Sequence, residues 1–306
     1  PYGNATGTVR WNHLWSDKLF SNVSLITNNY DFRLSGGQET FRFNVNSGVR
    51  NFSLKTDVDY YPSPKHQLKF GTRYTFHKLT PNVVNATNGE IDFSTDFKPK
   101  YGHELELYAA DEWSLPSGIK LNLGMRMSAF AHVGPYYSTI QFKNFETGEW
   151  VKTYVHPEPR VLMTWPVDRQ SSVKAGIART TQYIHLVSNS GSTLPADVWV
   201  PSTERVKPQL GTQYAVGYFR NFFDNALETS VEVYYRTMDN QLDYRESYVE
   251  NFSADIETEF VSGKGRAYGM ELFLRKNNGP ITGWLGYSLT RTERWFPEIE
   301  NGRVYP

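Results

Sequence analysis

Three groups of residues carry side chains that could do chemistry. The first is His156-Pro157-Glu158, an imidazole and a carboxylate two positions apart. Such a pair could hold a metal ion, but metal sites need several convergent ligands and no third is apparent nearby. The second is Asp255, Glu257 and Glu259. Three acids this close suggest a loop calcium site or a solvated charge cluster, and the solvated cluster is the expectation. The third is the connection Tyr183–Pro208, which mixes aromatics, small residues, prolines and charges. Connections longer than about 12–15 residues are usually functional or disordered. Here Tyr183, His185 and Trp199 are the candidate ligand-binding residues; the same side chains could equally pack the connection onto the rest of the fold.

No group points to covalent catalysis. The chain has no GxSxG, HExxH, phosphate-loop or CxxC pattern. It has no cysteine at all, so disulfides, thiolate metal sites and cysteine nucleophiles are excluded. An enzyme is not expected, nor is a cofactor. Ser35-Gly36-Gly37 reads as a tight connection, where glycine supplies turn geometry. Five Asn-x-Ser/Thr triplets, at Asn4, Asn22, Asn51, Asn85 and Asn251, matter only in a glycosylating secretory route and read as chance in Asn-rich polar strands.

The elements that must position these groups are strands. Residues 119–130 alternate, with Ile119, Leu121, Leu123, Met125, Met127 and Ala129 on one face and Lys120, Asn122, Arg126 and Ser128 on the other. Successive side chains of a strand point to opposite sides, so the segment has one apolar and one largely polar face. Residues 68–76, 227–236 and 270–275 repeat the pattern. Soluble strands usually run about 5–6 residues, whereas a strand crossing a membrane needs about 9–11. The alternating runs at 68–76, 119–130 and 227–236 reach that length.

Turn-forming clusters lie near 17, 63, 117, 168, 224 and 278, and so recur every 46 to 56 residues. Between them we read twelve long strands: 4–16, 19–34, 41–61, 66–80, 101–115, 119–133, 158–167, 171–182, 209–222, 226–240, 266–276 and 281–295. The other connections are mostly long, at 81–100, 134–157, 183–208 and 241–265. A hairpin within 134–157, pairing Ser138–Lys143 with Glu149–Val155, is expected. Short turns at one end and long loops at the other are the asymmetry of outer-membrane barrels. A repeat near 50 residues also suggests propeller blades, but each blade needs four short strands and here each period holds two long ones.

Composition agrees with a barrel. Tyr, Phe and Trp make up 15% of the chain although mean hydropathy is −0.55. Barrels of low mean hydropathy use rings as interface girdles, and the rings here cluster beside turns: Trp11, Trp15, Tyr60, Tyr61, Trp113, Trp165, Tyr218, Phe219, Phe222 and Phe223. Lys+Arg and Asp+Glu both number 32, which argues against a nucleic-acid partner. The fold class is therefore all-β, an antiparallel transmembrane β-barrel segment.

Several stretches resemble the barrel of TonB-dependent receptors, particularly their Bacteroidota branch. They are Arg10-Trp11-Asn12-His13-Leu14-Trp15, Tyr108-Ala109-Ala110-Asp111-Glu112-Trp113 and Leu194-Pro195-Ala196-Asp197-Val198-Trp199-Val200-Pro201. Gly217-Tyr218-Phe219-Arg220-Asn221 and Gly263-Lys264-Gly265-Arg266-Ala267-Tyr268-Gly269-Met270-Glu271 add to them. The resemblance implies a barrel of about 22 strands with an N-terminal plug and a short box contacted by TonB. On that basis residues 1–306 are expected to form part of the barrel, with the plug and the closing strands elsewhere in a longer polypeptide. The implied partners are outer-membrane lipid, TonB acting through the plug, and a surface lipoprotein or another outer-membrane complex. The implied location is the outer membrane of a Gram-negative bacterium. The expected function is energised substrate uptake; the alternatives are a receptor-like scaffold in an assembly or secretion complex, and a passive porin.

Overall fold

The computed structural model describes residues 2–38, 41–88, 91–92, 98–187, 198–246 and 256–305. Its strands are β1 (Tyr2–Ser16), β2 (Leu19–Gln38), β3 (Phe41–Ser63), β4 (His66–Asn88), β5 (Ile91–Asp92), β6 (Lys100–Ser114), β7 (Lys120–Val133), β8 (Tyr136–Ser138) and β9 (Lys143–Phe145). They continue with β10 (Trp150–Pro166), β11 (Ser171–Gln182), β12 (Ile184–Val187), β13 (Val198–Pro201), β14 (Gln209–Phe222), β15 (Leu227–Tyr244), β16 (Phe260–Lys276) and β17 (Gly283–Trp295). Twelve long strands form one antiparallel sheet in the order β1-β2-β3-β4-β6-β7-β10-β11-β14-β15-β16-β17, with β5 added beside β4. The hairpins β8–β9 and β12–β13 stand apart from it. The sheet is not closed: β1 and β17 each have one neighbour.

All twelve expected strands are present, and the short turns between them gather at one end. Several strands run further at the other end than alternation suggested. β4 continues to Asn88, β15 to Tyr244, and β16 begins at Phe260. Ser35, Gly36 and Gly37, expected to turn, lie inside β2 and pair with Asn44, Phe43 and Arg42. The expected pairing inside 134–157 is replaced: Tyr136–Ser138 pairs with Lys143–Phe145, and 150–157 extends β10 instead. Pro157 and Pro159 obscure this in the sequence. The β10–β11 ladder begins at Arg160↔Ala178, so beyond it β10 is paired on one side, where proline is tolerated.

The strands are staggered. One hydrogen-bonded row runs through Leu121, Met163, Ala175, Val216, Val233, Met270 and Leu289. Leu121 lies one residue from the turn end of β7, while Val216, Val233, Met270 and Leu289 each lie six residues from theirs. A sheet whose rows climb in this way has strands tilted to a common axis, as barrel closure requires.

Leu123, Met125, Val231, Val233, Leu272 and Leu274 are exposed on one face, and Leu121 shares it half-buried. Trp15, Tyr60, Trp113, Trp165 and Tyr218 stand on that same face near the turns, whereas Phe219 points the other way, under Lys174. The opposite face carries Arg126, Glu158, Lys120, Glu228 and Glu232. That polar face is concave. Tyr183, at the end of β11, stacks on Phe130 of β7, and Trp199 of β13 meets Tyr30 of β2. In sheet order β2 and β11 are six strands apart, so only a sheet curling toward its polar face brings these groups together.

Candidate functional site

The concave wall is built by inward positions of neighbouring strands. Glu158 of β10 is 4% exposed and is fully engaged. It accepts from Arg126 Nε at 3.2 Å, from the Arg126 Nη2 group, from Ser128 Oγ at 2.5 Å and from the Thr181 amide at 3.3 Å. Arg126 Nη1 also reaches Glu106 at 3.4 Å. Further along, His77 Nε2 lies 3.0 Å from Glu104, and Tyr108 donates to Asp57, which also pairs with Lys55 at 2.8 Å. Tyr108 lies flat across Gly71, where a Cβ would collide with its ring. A buried charge is tolerated when it is paired and hydrogen-bonded, and each of these acids meets that condition.

The pair His156 and Glu158 is therefore occupied by the wall itself. Glu158 is committed to Arg126 and Ser128, and His156 Nδ1 lies 3.1 Å from the Tyr183 hydroxyl. Among the described residues no three His, Asp or Glu side chains are grouped to hold a metal ion. The acidic triplet is also divided. Glu257, expected in solvent, is 3% exposed and accepts from Lys100 Nζ and from Thr203 Oγ1, the latter at 2.7 Å. Glu259 pairs with Arg245 at 2.8 Å, and Asp255 lies outside the described residues. A lysine far back in the chain compensates the buried carboxylate, and short-range sequence has no means of showing that partner.

Above the wall the long connections form a packed layer. Val187, Val198, Val200, Val206 and Tyr244 make a buried cluster, with Leu242, Ile256 and Phe260 against it. The cluster joins the β12–β13 hairpin to the connection between β15 and β16. Thr203 is its polar knot: its backbone oxygen accepts from the Tyr154 hydroxyl at 2.7 Å, and its side chain donates to Glu257. The β8–β9 hairpin region joins through Gln141 to Glu204 at 3.1 Å and Arg205 to Thr139 at 2.5 Å.

The three candidate residues occupy different places in this layer. Tyr183 is 2% exposed; its hydroxyl lies 2.9 Å from Ser128 Oγ and donates to the Ser128 backbone oxygen at 3.1 Å. Burial pushes its phenol up to about 12. His185 is 1% exposed, with Nε2 3.1 Å from Ser202 Oγ, and burial pushes its imidazole down to about 4, leaving it neutral. Trp199 is half-buried, edge-on to Tyr30. Residues 188–197 lie outside the described residues. The arrangement offers hydrogen bonds, ion pairs and stacking surface on a curved wall beneath a loop layer. A profile described as TonB dependent receptor-like, beta-barrel matches residues 1–303.

The chain belongs to the TonB-dependent receptor family.

Solved TonB-dependent receptors share the fold. The ferric preacinetobactin receptor BauA of Acinetobacter baumannii superposes with a TM-score of 0.62 at 14% identity, covering 97% of this chain and 46% of that one. The pyoverdine receptor FpvA of Pseudomonas aeruginosa PAO1 gives 0.63 at 15% identity, covering 99% and 46%. The ferric-catecholate import receptor Fiu of E. coli K12 gives 0.60 at 13% identity, covering 99% and 48%. No curated protein matches significantly in sequence. The chain thus spans less than half the length of these receptors, and at such identities the likeness concerns the barrel fold and not the ligand. In a TonB-dependent receptor barrel the apolar convex face meets lipid, and the polar concave face lines the lumen.

Proposed function

We propose that residues 1–306 form part of the barrel wall of an outer-membrane receptor, of the Bacteroidota type, that takes up its substrate with energy delivered by TonB. In this reading the plug and remaining strands belong to the same polypeptide outside this segment. The loop layer captures the substrate, TonB acts on the plug, and the ion-paired lumen wall keeps its shape while the plug moves. A surface lipoprotein that delivers substrate would meet the layer from outside. No covalent step is required.

The observation that carries the reading is the packing of the β12–β13 hairpin on the lumen side of the wall, tied down through Tyr183, His185 and Thr203. A scaffold has no need for connections folded over its own lumen, and nothing observed favours that role. Tyr183 and His185 are enclosed, so we assign them to holding the hairpin. We assign substrate contact to Trp199, which is only half-buried and offers stacking area at small entropic cost. The test is Trp199→Ala in the full-length protein, reading surface expression and substrate-dependent uptake together. Normal expression with uptake reduced by about tenfold, the loss of one stacking anchor, is expected. Normal expression with unchanged uptake would remove Trp199 from the site. Unchanged uptake after deletion of the hairpin 184–201 as well would remove the whole layer.

A further inference from the structure

We propose that the wall contains a hinged seam between β10 and β11, and that Glu158 is the positioning residue that latches the connection 183–208 across it. The purpose of the movement rests on the uptake reading above; the seam itself does not.

The β10–β11 ladder runs from Pro166↔Ser172 to Arg160↔Ala178. Both strands continue beyond it. β10 stays paired with β7 up to Trp150↔Val133, and β11 stays paired with β14 up to Gln182↔Gln209. Two neighbouring strands in the interior of the sheet therefore separate over 150–159 and 179–182. The cause is local sequence. Continued register would set Pro159 opposite Arg179 and Pro157 opposite Thr181. Pro157 and Pro159 keep their places opposite Met127 and Met125 of β7, so their nitrogens point toward β11. Proline has no amide hydrogen to donate, and that edge of β10 cannot extend the ladder.

A side chain takes the place of the missing ladder. Glu158, between the two prolines in sequence, accepts the Thr181 amide on Oε2 at 3.3 Å. Its Oε1 accepts from Ser128 Oγ at 2.5 Å, and Ser128 Oγ lies 2.9 Å from the Tyr183 hydroxyl. One buried carboxylate thus ties the end of β11 and the root of the following connection to β7 and β10. That connection leaves β11 and returns as β14, both on the far side of the seam. Its further contacts with the near side also use side chains: Tyr154 to the Thr203 backbone oxygen, Gln141 to Glu204, and Arg205 to Thr139. Such bonds can be exchanged singly, whereas a backbone ladder opens as a cooperative unit. Arg126 shares its guanidinium between Glu158 and Glu106 and has a side chain 38% exposed, so the latch is reachable from the lumen. With the latch closed, the β12–β13 hairpin reaches Tyr30 of β2 through Trp199. Opening at the seam would carry the hairpin with the upper ends of β11 and β14, changing access to the lumen while every ladder stays intact.

The experiment follows amide exchange by mass spectrometry in the full-length receptor in detergent, with heat-dependent migration on gels reporting whether the barrel is folded. E158A should quicken exchange in 179–187 on the order of tenfold while 172–177 keeps its rate. E158Q, which retains a carbonyl oxygen for the Thr181 amide, should fall between E158A and the wild type. P157V/P159V gives β10 the missing donors and should slow exchange in 179–182. Opposite signs from the two changes separate a seam from general damage to the wall. Equal quickening of 172–177 in E158A would make Glu158 an ordinary support of the wall and overturn the latch. Unchanged exchange in a folded P157V/P159V would overturn the seam. If that variant does not fold, the glutamate series decides: the same exchange in wild type, E158Q and E158A overturns the proposal. These readings need no substrate. Their failure removes the hinge and leaves the uptake reading standing, whereas failure of the Trp199→Ala test leaves the hinge.

Discussion

Thr203 Oγ1 donates to Glu257 Oε2 at 2.7 Å, joining the connection after β13 to the one before β16. Lys100 Nζ, at the start of β6, closes the triangle on the other carboxylate oxygen. Three regions separated in sequence are thereby locked over one end of the lumen by a single buried acid.

Glu257→Ala should loosen this layer without unfolding the barrel. It leaves Lys100 and Thr203 without their shared acceptor, and breaking a buried ion pair costs about 3–5 kcal/mol. Because the layer is a local unit, amide exchange should quicken in 198–206 and in 256–260 together, while β7 and β10 stay protected. Exchange that quickens in only one of the two segments would show that Glu257 does not join them.

Acidification should free the β12–β13 hairpin. The His185 imidazole titrates near 4 when packed and near 6.5 when released. Between those values the released state binds a proton that the packed state refuses. Packing is therefore at full strength above about pH 6.5 and weakens as pH falls toward 4, by up to about 1.4 kcal/mol per unit. Trp199 fluorescence should report this as a transition that disappears in His185→Gln. A wild type and variant with the same pH profile would assign the transition elsewhere.

Charge should be tolerated on one face of β15 and not on the other. Val233 faces outward at mid-strand, and Val233→Arg should cost about 2–4 kcal/mol if that face meets lipid, lowering the folded fraction after insertion into vesicles. Glu232→Gln, one residue away and inward, should leave that fraction unchanged. Equal tolerance at both positions would contradict the assignment of faces.

Residues 1–306 expressed alone should not form a stable monomer. β1 and β17 have unpaired edges, which invite pairing with other chains and cannot be satisfied in lipid. The expected product is aggregate in detergent-free buffer. A cooperative soluble monomer would refute the view that these strands need further ones to complete a barrel.

How much of this was legible in the sequence depends on the range of the interaction. Alternation has a period of two and acts between near neighbours, so the placement of Leu123 against Arg126, or of Val233 against Glu232, could be read directly. The turns at 17, 63, 117, 168, 224 and 278 were readable for the same reason, because turn residues act on their own backbone. Strand ends beyond the apolar band were less clear. Above Thr80, Arg160 and Asn240 the apolar alternation of the sequence stops, so the signal fades although the ladder continues.

The sequence by itself determined that this chain makes long antiparallel strands with one apolar and one polar face, joined by short turns at one end. Only the tertiary structure decided what the long connections do. Glu257 faces Lys100 across 157 positions, and Tyr183 finds Ser128 across 55, because the curvature and stagger summed over many strands bring them within reach. Each strand pair contributes a small twist and offset that is nearly independent of side-chain identity. The sum sets which residues meet across the lumen, and no local pattern records a sum.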